Sequence, residues 1–309
     1  MSKIVVLDYS IFVFRSIFSS KWNKSVPPEY IALSMMISAL KKIGLSTDDE
    51  VIVARDGRGN WRKDLDPTYK ADRKEKRDAE EAIDWDDLFE RFNDLANQLD
   101  ISTDWHFIQI PKIEADDIAA VICRKYTDKE IVLVSYDADW QQLLLYPNVK
   151  IFSILKKFGG VKGAYLVPPP NFNAYKLIAK KIEKEKTDNL INPILTEEDY
   201  ERRKTLVNLL CLPPSVECAI IESLARISPK EEVLVDLFPF RSLRERMASV
   251  YENNLNVITY EQCCKKEEKK KLKKKLKKGV KNEVSSSVSE GVTIHAEDSE
   301  GRQHEGTVD

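Results

Sequence analysis

Three short β-branched runs in this chain each lead into an acid: IVVLD ends at Asp8, VIVARD at Asp56 and IVLVSYD at Asp137. Continuous apolar runs of this length read as strands buried on both faces, the signature of a parallel sheet covered by helices. Ligands of such sheets bind at the C-terminal strand edge, where these acids should emerge. A fourth group, Glu114-Ala115-Asp116-Asp117, opens an apolar helical pattern, and Asp139 follows Asp137 by two. Glu114 and Asp117 are three apart and share a helix face. Any one of these acids alone reads more readily as a helix cap or loop solvator. Taken together, they cannot all stay ionised at one edge without a cation among them. All-carboxylate sets suit hard ions, Mg²⁺ or Mn²⁺, and a pair of such ions suits phosphodiester hydrolysis.

The rest of the chain alternates strand and helix. Strands are expected over 3–8, 51–56, 105–110 and 131–136. Helices are expected over 29–43 (ending at Gly44), 84–99 and 114–125, with a short one over 138–146. A strand pair is expected at 149–153 and 161–167. Beyond Pro168-Pro169-Pro170 the pattern turns helical, over 174–187, 197–212, 215–226 and 241–251. The fold class is therefore α/β, a doubly wound, mostly parallel sheet with a helical C-terminal region. Three segments follow: an α/β core over 1–170, a helical region over 171–264 and a lysine-rich, then acidic, disordered tail over 265–309.

Composition narrows the chemistry. The chain has 309 residues and is 32% charged, yet its net charge is only −2, so the charge is locally segregated. Residues 57–80 are the densest cationic stretch of the core, with Arg58, Arg62, Lys63, Lys70, Arg73, Lys74, Lys76 and Arg77 around Trp61 and Tyr69, and show no core-facing stripe. This stretch starts directly after Asp56. The lysine block after Cys264 suits nonspecific nucleic-acid attachment or a solvated tail. Five cysteines without metal or disulfide spacing suit a reducing compartment, and with only three histidines a zinc or histidine-based mechanism is disfavoured. Neither a signal peptide nor a membrane span is visible, so no membrane partner is expected.

In order, the segments LDYS, ARDG, WRKD, PTYKADR, IEADD and SYDAD resemble the 5′→3′ exonuclease and flap endonuclease family, most like its T-even bacteriophage ribonuclease H branch. The resemblance covers about residues 3–260. It implies a PIN-like 5′-nuclease core and a metal-dependent 5′→3′ nuclease with ribonuclease H activity, one that removes RNA primers or 5′ flaps from replication intermediates. It also implies metal ligation by Asp8, Asp56, Glu114, Asp116, Asp137 and Asp139, with Asp117 as an extra acid of the phage-type site. Glu185 and Asp188 match a further metal-binding element, although Lys184 stands where the family has glycine. Two Mg²⁺ ions are implied, with Mn²⁺ able to substitute.

By the same resemblance, residues 57–80 form a helical arch for single-stranded 5′ ends. Lys70 and Arg73 would act at the scissile phosphate, Arg58, Arg62, Lys63, Lys74 and Arg77 on the nucleic-acid backbone, and Trp61 or Tyr69 by packing or stacking on a base. Lys180, Lys181, Lys184 and Lys186 are candidate duplex contacts. The implied substrates are branched or nicked DNA and RNA·DNA duplex. A single-strand-binding protein or sliding clamp is a candidate partner, and the chain is expected to be a monomer in the cytoplasm, that of the host if viral. The rival readings are a PIN-type endoribonuclease and a non-catalytic nucleic-acid-binding relative.

Overall fold

The computed structural model describes residues 2–20, 25–46, 48–73, 79–80, 83–154, 164–166, 172–183, 194–230, 233–234, 238–248, 257–258, 266 and 269–270. The chain divides into two compact units, Met1–Thr259 and Tyr260–Asp309. The second is represented among the described residues only by the exposed Lys266, Lys269 and Lys270.

The first unit is built on a six-stranded sheet. Strands β1 (Lys3–Asp8), β2 (Glu50–Arg55), β3 (His106–Gln109), β4 (Glu130–Val134), β5 (Val149–Ser153) and β6 (Ala164–Leu166) lie in the order β3-β2-β1-β4-β5-β6. Strands β1 to β5 run parallel, and β6 runs antiparallel to β5. β1 pairs with β2 on one side (Asp8 opposite Ala54) and with β4 on the other (Leu7 opposite Val134). The connection after β1 runs to β2 on one side and the connection after β4 runs to β5 on the other, a switch point that opens a crevice beyond the C-terminal ends of β1 and β4.

The alternation of side chains along each strand divides the core in two. On one face Val5, Leu7, Val51, Val53, Val132 and Val134 pack beneath helices α1 (Tyr9–Ser20), α2 (Pro28–Ile43) and, after a short α3 (Trp61–Leu65), α4 (Trp85–Ser102). On the other, Ile4, Val6, Ile52, Ala54, Ile131 and Leu133 pack beneath α5 (Ala115–Lys125), the 3₁₀ helix Ala138–Leu145 and, after α6 (Ala174–Glu183) and α7 (Glu197–Val207), α8 (Pro214–Ala225). Both faces bury aliphatic side chains completely, and each such side chain contributes about 1.5–3 kcal/mol. A short parallel pair, β7 (Val233–Leu234) with β8 (Val257–Ile258), and helix α9 (Arg241–Ala248) complete the unit.

Local chemistry explains the boundaries. α2 starts with Pro28 in its first turn and carries Lys41 and Lys42 in its last. It stops at Gly44, whose φ of 71° only glycine adopts cheaply and whose N–H reaches the Leu40 carbonyl. α5 begins with a capping box between Glu114 and Asp117. α1 is an addition to the elements expected from sequence. Its run YSIFVFRSIFSS is aromatic and β-branched, yet Ile11, Phe12, Val13 and Ile17 are buried and Tyr9 donates its hydroxyl to the Phe92 carbonyl at 2.7 Å. Among the described residues no helix is long and apolar enough to cross a membrane.

Candidate metal centre

The acids gather at the C-terminal edge of β1, β2 and β4, around the switch point. Asp8, the last residue of β1, is buried and accepts hydrogen bonds from the Ser135 hydroxyl at 3.0 Å and from the Ile11 backbone. Its carboxyl is pushed up to about 8, first by burial, then by the charges of Asp56 and Asp137. Asp56 follows β2 and is exposed. It accepts from the Ser10 hydroxyl at 2.6 Å and from the Ala115 N–H at 2.9 Å, where the first turn of α5 points its free amides outward. Asp137 caps the 3₁₀ helix by accepting from the Asp139 N–H at 2.9 Å, while its own N–H donates to Ser135. Asp139 is ion-paired with Lys181 on α6.

Glu114 and Asp116 come from the start of α5. Glu114 accepts from Lys70, from the Arg62 guanidinium at 2.9 Å and from the Tyr69 hydroxyl at 3.1 Å. Burial alone would raise its carboxyl, but Lys70 and Arg62 outweigh that and hold it below the usual range. Asp116 moves the other way: burial, then the charge of Glu114, push it well up, with Asp137 adding to the effect and Lys70 opposing it. Two of the acids thus remain starved of positive charge, although Lys70 and Arg62 already serve a third. Among the described residues no three acidic side chains converge on one cation-sized point. The donor chemistry, however, is all hard oxygen, with Asp56 and Asp137 repelling Asp8 and with Glu114 and Asp137 repelling Asp116. These residues fit a divalent cation.

The basic stretch divides sharply. Lys70 stands with φ at 54°, in the left-handed region that side chains rarely adopt, and is packed over the Tyr69 ring with its ammonium against Glu114. Burial would lower its affinity for a proton, but Glu114 reverses that. Arg73 is exposed one turn on, near enough to Lys70 to repel it. Arg58 and Lys63 are also exposed. Glu185, Asp188, Lys74 and Arg77 lie outside the described residues, as do Lys184 and Lys186.

Two residues expected at the site have other partners here. Arg62, expected on the nucleic-acid backbone, is 1% exposed, and its donors are taken up by Glu114, Asp117 and the Leu206 carbonyl. Asp117, expected as an extra acid of the metal site, is fully buried, and both carboxylate oxygens accept from Arg62, one of them also from the Trp61 indole at 2.9 Å. Trp61 and Tyr69 are buried as well, so neither offers a face to a base, and the stretch does have a core-facing side. Ser10 and Ser135, which orient Asp56 and Asp8, were invisible as site residues; their only signal is their position two residues after one acid and two before another. The exposed Arg15 on α1 is a further cation that sequence reading passed over. Burial, then the charge of Asp8, with Asp137 adding to it, push the Tyr136 hydroxyl up, and Arg15 opposes them.

Residues 3–166, from the first residue of β1 to the last of β6, match the sequence model of the family described as 5′-3′ exonuclease, N-terminal resolvase-like domain. The chain belongs to this family. It is 28% identical over 211 residues to the ribonuclease H of Enterobacteria phage T4, a match covering 66% of this chain and 61% of the relative's length. Among solved structures it is similar to the T5 D15 protein co-crystallised with metal ions, at 21% identity, a TM-score of 0.46 and coverage of 81% of this chain and 100% of the other. It is also similar to the T5 D15 flap endonuclease in a pseudo-enzyme-product complex with DNA and metal ions, at 18% identity, a TM-score of 0.44 and coverage of 80% and 98%. The family match spans the whole sheet and every acid placed at its edge.

Proposed function

We infer that the chain is a divalent-metal-dependent 5′→3′ nuclease that removes RNA primers or 5′ flaps from branched or nicked DNA and RNA·DNA duplex. The observation that carries this reading is the meeting of Asp8, Asp56, Glu114, Asp116 and Asp137 at one sheet edge beside the buried ammonium of Lys70. Bound divalent cations, in this reading two Mg²⁺ ions or Mn²⁺ in their place, supply an activated water and charge neutralisation at the leaving oxygen. Asp8, Asp56, Glu114, Asp116 and Asp137 hold them on this side. Asp139 would join them in place of its pairing with Lys181, and Glu185 and Asp188 would serve a second ion. Lys70 places positive charge where negative charge grows on the phosphate, with Arg73 beside it. The exposed Arg58, Lys63 and Arg15 would meet a nucleic-acid backbone approaching the edge. Lys74 and Arg77 extend the same role, as a single-strand-binding protein or sliding clamp would extend the assembly. The free cysteines among the described residues, Cys123, Cys211 and Cys218, suit a reducing cytoplasm.

The test is incubation with 5′-labelled flap, nicked and RNA·DNA substrates in Mg²⁺ or in EDTA. Cleavage from the 5′ side that EDTA abolishes is expected, together with loss of it in the double variant Asp137→Asn, Asp139→Asn. Absence of Mg²⁺-dependent 5′ cleavage sinks the nuclease reading, and full activity in the double variant sinks the site.

A further inference from the structure

Arg62 joins three parts of the molecule that lie far apart in sequence. Its Nε donates to the Leu206 carbonyl in the last turn of α7 at 2.8 Å. Its Nη1 donates to Glu114 Oε2 at 2.9 Å and to Asp117 Oδ2 at 3.0 Å, and its Nη2 donates to Asp117 Oδ1 at 2.6 Å. The Trp61 ring lies 4.4 Å from the guanidinium carbon, and the Trp61 indole N–H fastens Asp117 from the other side. Glu114 is therefore aimed from behind, with Oε2 facing Arg62 and Tyr69 and Oε1 facing Lys70.

A bare guanidinium beside a cation-binding carboxylate would weaken it as a ligand. The bidentate pairing with Asp117 cancels that charge and leaves the directional hydrogen bond. A buried ion pair is a poor source of stability compared with apolar packing, but a planar five-donor fork is well suited to holding several acceptors in fixed relation. Groups that orient ligands in this way are worth roughly 10–100-fold in metal affinity or activity when lost.

We propose that Arg62, with Asp117 as its counter-ion, is a positioning residue that sets Glu114 of the metal centre relative to the last turn of α7. Occupancy of the centre and order in that turn are then linked, and by reciprocity each strengthens the other. This rests on the metal-centre reading above. It assigns Asp117, placed as an acid among acids, to the arginine and not to the metal.

The test uses the full chain and Mn²⁺ alone as probe, with bound ions counted by electron paramagnetic resonance and amide exchange followed over residues 207–210. In the wild-type chain Mn²⁺ should slow exchange in that segment. Asp117→Asn should bind the same number of ions with a half-saturating Mn²⁺ raised about tenfold or more. Arg62→Lys should bind more weakly too, and in it Mn²⁺ should no longer slow exchange at 207–210. Trp61→Phe keeps an aromatic ring beside Arg62 and removes the N–H to Asp117 together with the pyrrole half of the indole. It should shift affinity in the same direction by less, and it decides the matter if the buried-charge variants do not fold. Unchanged Mn²⁺ affinity in the folded variants, with the wild-type exchange response, overturns the proposal, as does loss of one bound ion in Asp117→Asn, which would make Asp117 a ligand. A purely structural role lowers thermal stability and leaves the metal-linked exchange in place. A wild-type chain that binds no Mn²⁺ defeats the metal-centre reading itself, before any variant is compared.

Discussion

Lys70 shows how much one side chain can be asked to do. Its φ of 54° costs about 1–2 kcal/mol for a residue with a Cβ, and its ammonium is taken largely out of water to lie against Glu114. Burying the ammonium serves the pairing with Glu114 and not apolar packing. A strained residue beside a candidate site is a pointer to function. Lys70→Ala is expected to lower kcat on a flap substrate about 10²–10³-fold, the range for losing one donor at developing charge, with a smaller change in KM. Single-turnover rates at saturating substrate measure this, and a wild-type rate would remove Lys70 from the chemistry. Its position in YKADR was legible in the sequence through the family resemblance. Its partner was not, because Lys70 and Glu114 are 44 residues apart.

At the scale of elements, the loop after β2 and the loop after β3 close on each other. Gly57 N–H donates to the Ile113 carbonyl at 2.8 Å, Lys112 N–H to Arg58 at 2.9 Å and Trp61 N–H to Lys112 at 2.9 Å. This small ladder seats the basic stretch against the start of α5 and so beside Glu114. A Cβ on Gly57 would fall 1.8 Å from the Ile110 carbonyl oxygen, which is backbone and cannot step aside. Gly57→Ala is therefore expected to destabilise the fold by about 1–3 kcal/mol, the range for overpacking. Urea denaturation would show it as a lower midpoint, and an unchanged midpoint would mean that the two loops do not pack so closely. The strands and α2, α4 and α5 were readable because a period of 2 or 3.6 and their caps agree with their burial. α1 was not, since its aromatic and β-branched run favours a strand locally and only packing between the sheet and α2 makes it a helix. α3 is five residues long, too short to show a period at all.

Across the whole molecule, the C-terminal helices are tied into the nuclease-family core by side chains that reach backbone carbonyls. Besides Arg62 on Leu206, Gln142 donates to the Val207 carbonyl at 3.0 Å and accepts from Leu209 N–H at 3.0 Å, and Arg124 donates to the Leu210 carbonyl at 3.0 Å. Residues Met1–Thr259 accordingly form one compact unit. A chain ending at Cys264 keeps the whole of the unit Met1–Thr259 and is expected to keep its melting temperature within about 2 °C. It should also show a shallower dependence of DNA affinity on salt, as the lysines after Cys264 no longer release counterions. Calorimetry and binding titrations between about 50 and 200 mM salt check both; an unchanged slope removes the tail from DNA binding. By itself the sequence determined the parallel sheet and the edge at which its acids emerge, because apolar runs and strand polarity are local properties. Only the tertiary structure decided which charges face solvent and which face each other. Arg62 and Lys63 are neighbours of one chemistry, yet Arg62 is buried by contacts 52 to 144 residues away while Lys63 stays exposed. The burial of a charge depends on where the chain returns, and no local pattern records that.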